Sequence, residues 1–262
     1  MSLEVDQMKE ILRNFLGAQA PLPAGSQNKQ AEMPALPGAL PESFTEAEAD
    51  LLSEYYELVL KWNKRLHLTT LAQPQEFFER HILESAFAES LILPSANQVW
   101  DLGSGLGVPG MVIAILRPDL NVRLIEVSRN KVLFLEEAAA YLKLKNVQVI
   151  ESRIETIERA PEESCLTVRA IEKMEKMIPE ILRVGARATQ VLIFGAKSLE
   201  EKTRALLYTD KKIESLLIPG SNQRYVINII RSTSNVAERR NGHRGHREHR
   251  EIIIPLSSLC SL

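Results

Sequence analysis

From about residue 98 onward, short runs of aliphatic and β-branched residues alternate with stretches whose apolar positions recur three and four apart. Switching between those two periods along one chain is the pattern of a parallel sheet with helices on both faces. The runs predict seven strands, at 99–102, 122–126, 147–150, 166–169, 190–194, 213–218 and 225–230. Between the last two lies only a link holding Pro219, Gly220, Ser221 and Asn222. A link that short predicts an antiparallel hairpin, so the sheet is expected to be mostly parallel and Rossmann-like, with one reversed strand.

Ahead of the sheet the period is helical throughout. Val5, Met8, Ile11, Leu12, Phe15 and Leu16 predict an amphipathic helix over 4–16. Residues 18–42 are rich in Pro, Ala, Gly and Gln, have no period, and read as a linker. Thr45 with Glu48 predicts a capping box that opens a helix running to 68, with Leu51, Leu52, Tyr55, Leu58, Val59 and Trp62 on its apolar face. A further helix is expected over 74–91, and the two form a helical cap. After Ser232 the period is lost in an Arg/His-rich tail. The expected organisation is therefore 1–44 helix and linker, 45–96 cap, 97–232 Rossmann-like domain and 233–262 tail.

Composition narrows the class. With 45% hydrophobic and 25% charged residues the 262-residue chain has the makeup of a globular protein. No stretch approaches the ~18 consecutive apolar residues of a membrane span, and the start lacks the pattern of a secretory signal. Cys165 and Cys260 are isolated, so a reducing compartment and a cytoplasmic location are expected. A net charge of −2 hides a tail with five arginines against three glutamates, so any nucleic-acid contact in the body must come from a local patch. His243, His246 and His249 recur every three residues, but interleaved arginines repel a cation, and no metal is expected.

The chemistry concentrates where strand 99–102 runs into Gly103-Ser104-Gly105-Leu106-Gly107-Val108-Pro109-Gly110. Glycines permit a sharp turn and close approach of backbone to a ligand. Glu126 ends the next strand about 20 residues on, where an acid accepts hydrogen bonds from ribose hydroxyls. The pair implies a nucleoside cofactor. Gly105, Gly107 and Gly110 also fit the dinucleotide fingerprint, which leaves a nicotinamide cofactor open on glycine spacing alone. Asp101 followed by glycines at 103, 105 and 107 resembles methyltransferases instead, and so favours S-adenosylmethionine.

Further segments point the same way. They are Trp62-Asn63 with Leu68-Thr69, the run Arg80 to Ser85, Lys131 with Phe134-Leu135, Ser152 to Glu155, Arg169-Ala170, and Lys197. In that order, over roughly residues 45–231, the chain resembles the ribosomal small-subunit methyltransferase G family, also called the glucose-inhibited division protein B family. The resemblance implies a class I S-adenosylmethionine-dependent methyltransferase fold and methylation of N7 of a guanosine in 16S ribosomal RNA. It implies cofactor contacts at Gly103, Val108, Ile154, Glu155 and Arg169, with Gly105 in the loop and Glu126 on the ribose. Arg80, His81 and Lys197 are the expected substrate contacts.

Guanine N7 offers an in-plane lone pair, so this reaction needs no general base and no catalytic residue is expected. Cys165 reads as a small strand-edge residue, not a nucleophile. For gripping RNA, Lys61, Lys64, Arg65 and His67 stand beside Arg80 and His81, and Tyr55, Tyr56 and Trp62 could stack on bases, although Trp62 with Leu58 and Val59 reads better as core. Two rival functions share the cofactor domain: a small-molecule methyltransferase, and a noncatalytic RNA-binding protein.

Overall fold

The computed structural model describes residues 3–16, 44–171, 173–207 and 211–231. The expected linker and the Arg/His tail with its three histidines lie outside the described residues. Helix α1 (Leu3–Leu16) turns Val5, Met8 and Leu12 into the core. Helix α2 (Glu46–Leu66) begins at the expected capping box, with the Thr45 amide donating to Glu48 at 2.7 Å and the Glu48 amide to the Thr45 hydroxyl at 3.3 Å. It stops at His67, which takes the left-handed conformation. The helix expected over 74–91 is three consecutive pieces: α3 (Pro74–Phe77), a π-helical stretch (Phe78–Leu83) and α4 (Glu84–Ser90). Such π turns gather at functional sites.

Strands and helices then alternate as β1 (Gln98–Leu102), α5 (Gly110–Leu116), β2 (Asn121–Glu126), α6 (Arg129–Tyr141), β3 (Val147–Glu151) and β4 (Ser164–Val168). Helix α7 (Met174–Val184), β5 (Gln190–Gly195), α8 (Ser198–Leu206), β6 (Lys211–Leu217) and β7 (Tyr225–Arg231) complete the order. The seven strands lie side by side as β3-β2-β1-β4-β5-β7-β6. All pairs are parallel except those of β7, which runs antiparallel to both β5 and β6. The reversed strand is thus wedged inside the sheet, one place from its edge, because a short hairpin link lets it fold back beside β5.

Alternate residues of each strand feed opposite faces, as the pleat requires. Val99, Val122, Leu124 and Leu192 join the core shared with α1 through α6, and Trp100, Leu166, Val168 and Ile193 join the core under α7 and α8. The N-terminal helices therefore share one continuous core with a sheet face. Cys165 sits within central β4, paired on both sides, and is buried; the strand-edge expectation is corrected by a strand that starts two residues earlier than its β-branched run suggests. Among the described residues no helix is long and apolar enough to cross a membrane, and no acid, histidine and cysteine cluster is suited to a metal.

Candidate functional site

Strand order reverses between β1 and β4, and in open α/β sheets a ligand crevice forms at the carboxyl ends of the strands flanking that switch. A cleft of about 1010 Å³ opens there. One wall is the glycine loop. Gly105 sits at φ +58°, and a Cβ placed on it would meet nothing nearer than the Gly103 carbonyl at 3.8 Å, so the loop presents bare backbone to open space. Gly110 is glycine for another reason: a Cβ there would run into Leu124 and lie 2.9 Å from the Asp101 side chain. The third glycine of the dinucleotide spacing thus serves helix-to-strand packing.

Two carboxylates fix this wall. Glu126, at the end of β2, accepts the Gly105 amide at 2.8 Å on one oxygen and the Val127 and Ser128 amides at 2.9 Å on the other. Asp101 is buried under the loop, where it accepts the Thr167 hydroxyl at 2.7 Å and the Gly110 amide at 3.3 Å. Burial pushes its pKa up to about 6, opposed by those hydrogen bonds. From the cap, the Tyr55 hydroxyl donates to the Leu106 carbonyl at 2.6 Å and pins the loop to α2. The turn after β3 is fixed by Arg183 of α7, which donates to the carbonyls of Ile154 at 2.7 Å, Glu155 at 3.2 Å and Ile157 at 3.0 Å.

The facing wall is built from charged side chains. Arg169, just past β4, donates one Nη2 to the Arg80 carbonyl at 2.6 Å and lies 3.1 Å from Glu84. The same nitrogen is 3.4 Å from Nδ1 of His81. Because a guanidinium only donates, Nδ1 accepts and His81 carries its proton on Nε2, which donates to the Thr69 hydroxyl at 2.9 Å. Burial, then the positive charges of Arg169 and Arg80, lower the His81 pKa to about 3, so the ring is neutral. Thr69 is itself held by Asn63, which donates to its carbonyl and accepts from its amide, both at 2.9 Å. The Asn63, Thr69 and His81 segments noted in the sequence are therefore one hydrogen-bonded chain ending on Arg169.

Gly103, Gly105, Val108, Glu126, Ile154, Glu155, Arg169, Arg80 and His81 all line this cleft. Lys197 does not: it is exposed at the start of α8, directly after the lining residues Gly195 and Ala196. Tyr55 and Tyr56 are fully buried, which removes them as stacking platforms. Trp62 packs edge-on against Phe134 at 5.9 Å and donates to Glu137 at 3.1 Å, away from the cleft. Lys61, Lys64 and Arg65 are exposed on α2, and of that group only His67 lines the cleft. Glu84 as the hub and Arg224 as a member of the charged wall were not foreseen. Arg224 lies in the β6–β7 link, 140 residues from Glu84, and no local pattern marks it.

A seven-stranded sheet with β7 reversed, and a glycine loop after β1 bonded to the acid that ends neighbouring β2, beside the switch point, define the class: this is a class I methyltransferase fold. Residues 48–225 match the family profile described as rRNA small subunit methyltransferase G, and the chain belongs to that family. It is 34% identical over 188 residues to the ribosomal RNA small subunit methyltransferase G of Xanthomonas oryzae pv. oryzae, covering 70% of this chain and 86% of the relative. To the protein of the same name from Pseudomonas fluorescens it is 34% identical over 197 residues, covering 73% and 90%. Among solved structures, a precorrin-6y methyltransferase from Geobacter metallireducens aligns with TM-score 0.43 and 15% identity over 56% of this chain and 88% of that one.

Proposed function

We propose that this chain transfers the methyl group of S-adenosylmethionine to N7 of a guanosine in 16S ribosomal RNA, acting on the small subunit or its RNA in the cytoplasm. Family membership supports the substrate class. The observation that carries the reading is the cleft itself, with a bare-backbone wall and a carboxylate on one side and a cationic wall on the other.

The residues present fit the cofactor. The space above Gly105 is open, Glu126 keeps lone-pair capacity beyond its three amide donors, and Ile125, Val127 and Ile154 give the cleft an apolar flank beside that acid. Glu126 would take the ribose hydroxyls, Gly103, Gly105, Val108, Ile154 and Glu155 would surround the nucleoside, and Arg169 would close the far end. Bound there, S-adenosylmethionine supplies a methyl group on a cationic sulfur that a neutral lone pair can attack. Arg80 and His81 would face the incoming nucleotide, and Lys197 would meet RNA at the rim.

No proton need leave guanine N7, and the residues here suit that economy. His81 is neutral with both ring nitrogens engaged, and burial holds the Tyr55 hydroxyl protonated. The work left to the protein is orientation, which can supply ~7–11 kcal/mol. The test is transfer of labelled methyl to 16S RNA from cells lacking this modification, with the product nucleoside identified by mass spectrometry. 7-Methylguanosine is expected. Failure on both naked RNA and intact small subunits, with cofactor binding confirmed by calorimetry, would move the reading to a small-molecule acceptor.

A further inference from the structure

The charged wall is short of anions. The Oε1 atom of Glu84 accepts from Nε of Arg80 at 2.9 Å and from Nε of Arg224 at 2.7 Å, while Oε2 faces Arg169 at 3.1 Å. One buried carboxylate therefore serves three guanidiniums, leaving two positive charges unbalanced in that cluster. Arg169 is only 9% exposed, and its buried Nη1 has no hydrogen-bond partner. Arg80 and Arg224 give the protein nothing but Nε; among the described residues their Nη1 and Nη2 groups have no acceptor, and both side chains line the cleft. They are held at the stem and open at the tips.

A guanidinium fixed through Nε presents its two Nη groups as a planar fork, the geometry that pairs bidentately with a phosphate. Two forks share one anchoring oxygen, so they stand side by side. Arg224 is positioned by an ordered turn, in which the Ser221 hydroxyl accepts the Gln223 and Arg224 amides at 3.3 and 3.0 Å. We propose that Arg80 and Arg224, gathered by Glu84, clamp a backbone phosphate of the RNA strand that brings the target nucleotide into the cleft. This rests on the RNA-methyltransferase reading above. It makes the β6–β7 link part of the RNA contact and gives Glu84 a positioning role. The buried guanidinium of Arg169 behind the forks, which shares its one carboxylate with both of them, strengthens their pull on an anion, because a buried charge is poorly screened.

The test measures KM for 16S RNA against salt concentration in the wild type, Arg224→Gln, Arg80→Gln and Arg224→Lys, with S-adenosylmethionine affinity followed by calorimetry. Loss of one arginine from a phosphate clamp lowers the log–log salt slope by up to about 1, less where the second arginine still holds the phosphate, and raises KM on the order of fivefold near 0.1 M salt. Arg224→Gln and Arg80→Gln are each expected to do this with cofactor affinity unchanged. Arg224→Lys should restore the slope, since it keeps the charge, but only part of the affinity, since it loses the fork. An unchanged KM and slope in Arg224→Gln overturns the clamp. So does a loss that falls on S-adenosylmethionine affinity, which would assign the forks to the cofactor carboxylate. If Arg224→Gln does not fold, Arg80→Gln and Arg224→Lys carry the same comparison. A wild type that methylates no RNA sinks the function itself; a working wild type with indifferent variants sinks only the clamp.

Discussion

The two walls of the cleft are made of different materials. The glycine-loop wall is backbone: amides aimed at Glu126, a left-handed Gly105, and Asp101 buried beneath. Its parts lie between residues 101 and 128, and its shape follows from local conformation. The arginine wall is made of side chains from four separate places, Thr69, the π-helical stretch with the first residue of α4, the end of β4 and the β6–β7 link, joined by ion pairs and hydrogen bonds around Glu84 and His81. A wall of backbone fails when a side chain intrudes. A wall of charges fails when its counter-charge is removed.

The largest effect is expected from intrusion. Gly105→Arg forces a side chain into a left-handed position and fills the space above the loop. Calorimetry should show S-adenosylmethionine affinity falling about a thousandfold, or about 4 kcal/mol, with the fold retained by circular dichroism. Normal affinity would place the cofactor elsewhere. On the other wall, Glu84→Gln leaves buried Arg169 and the part-exposed Arg80 and Arg224 with no carboxylate between them. Removing one partner of a buried ion pair typically costs about 3–5 kcal/mol, to be read from urea unfolding. A loss below about 1 kcal/mol would mean that the cluster behaves like a surface pair and that water screens it.

The walls should also answer acid with opposite signs. The His81 pKa is lowered from 6.5 to about 3, so the folded state resists its protonation. The stability it contributes is present above pH 6.5 and is lost as pH falls toward 3. The Asp101 pKa is raised from 3.8 to about 6, so its contribution is present below 3.8 and is lost as pH rises through 6. At about 1.4 kcal/mol per unit, the swings are on the order of 5 kcal/mol for His81 and 3 kcal/mol for Asp101. Unfolding free energies of His81→Gln and Asp101→Asn, each subtracted from wild type across that range, should slope in opposite directions. Parallel slopes would show that the two groups titrate as one coupled unit.

The same contrast explains what could be read from the sequence. All seven strands fall within three residues of their expected ends, because apolar alternation is a local signal. β4 begins at Ser164 because buried Ser164 and Cys165 pair with β1 while looking neither aliphatic nor β-branched. The glycine-loop wall was legible for the same reason, since Gly105 and Glu126 sit at fixed offsets from two strand ends. The arginine wall was legible only as separate segments. Nothing near Glu84 says that Arg224 will reach it, because that meeting is made by β7 folding back beside β5. Tyr55 was misread in part: its spacing marks the apolar face of α2, but its hydroxyl is used at the loop, not for stacking.

That hydroxyl is also where the contrast can be sharpened with the smallest change. Tyr55 belongs to the cap, yet its bond ends on the Leu106 carbonyl, inside the glycine loop. Tyr55→Phe keeps the buried ring and removes one hydrogen bond, leaving a buried carbonyl short of a donor at a cost of about 1–2 kcal/mol. If the loop is shaped by its own backbone and Glu126 alone, stability drops and S-adenosylmethionine affinity does not. If the cap helps to hold the loop open, affinity falls severalfold while the salt slope for RNA, which belongs to the arginine wall, stays where it was. The second result is expected, because the position of Gly107, next along the loop, leaves its missing Cβ only 3.4 Å from that same hydroxyl. The loop has little room to settle differently once the tie is cut, so any slack opens toward the cleft and the cofactor.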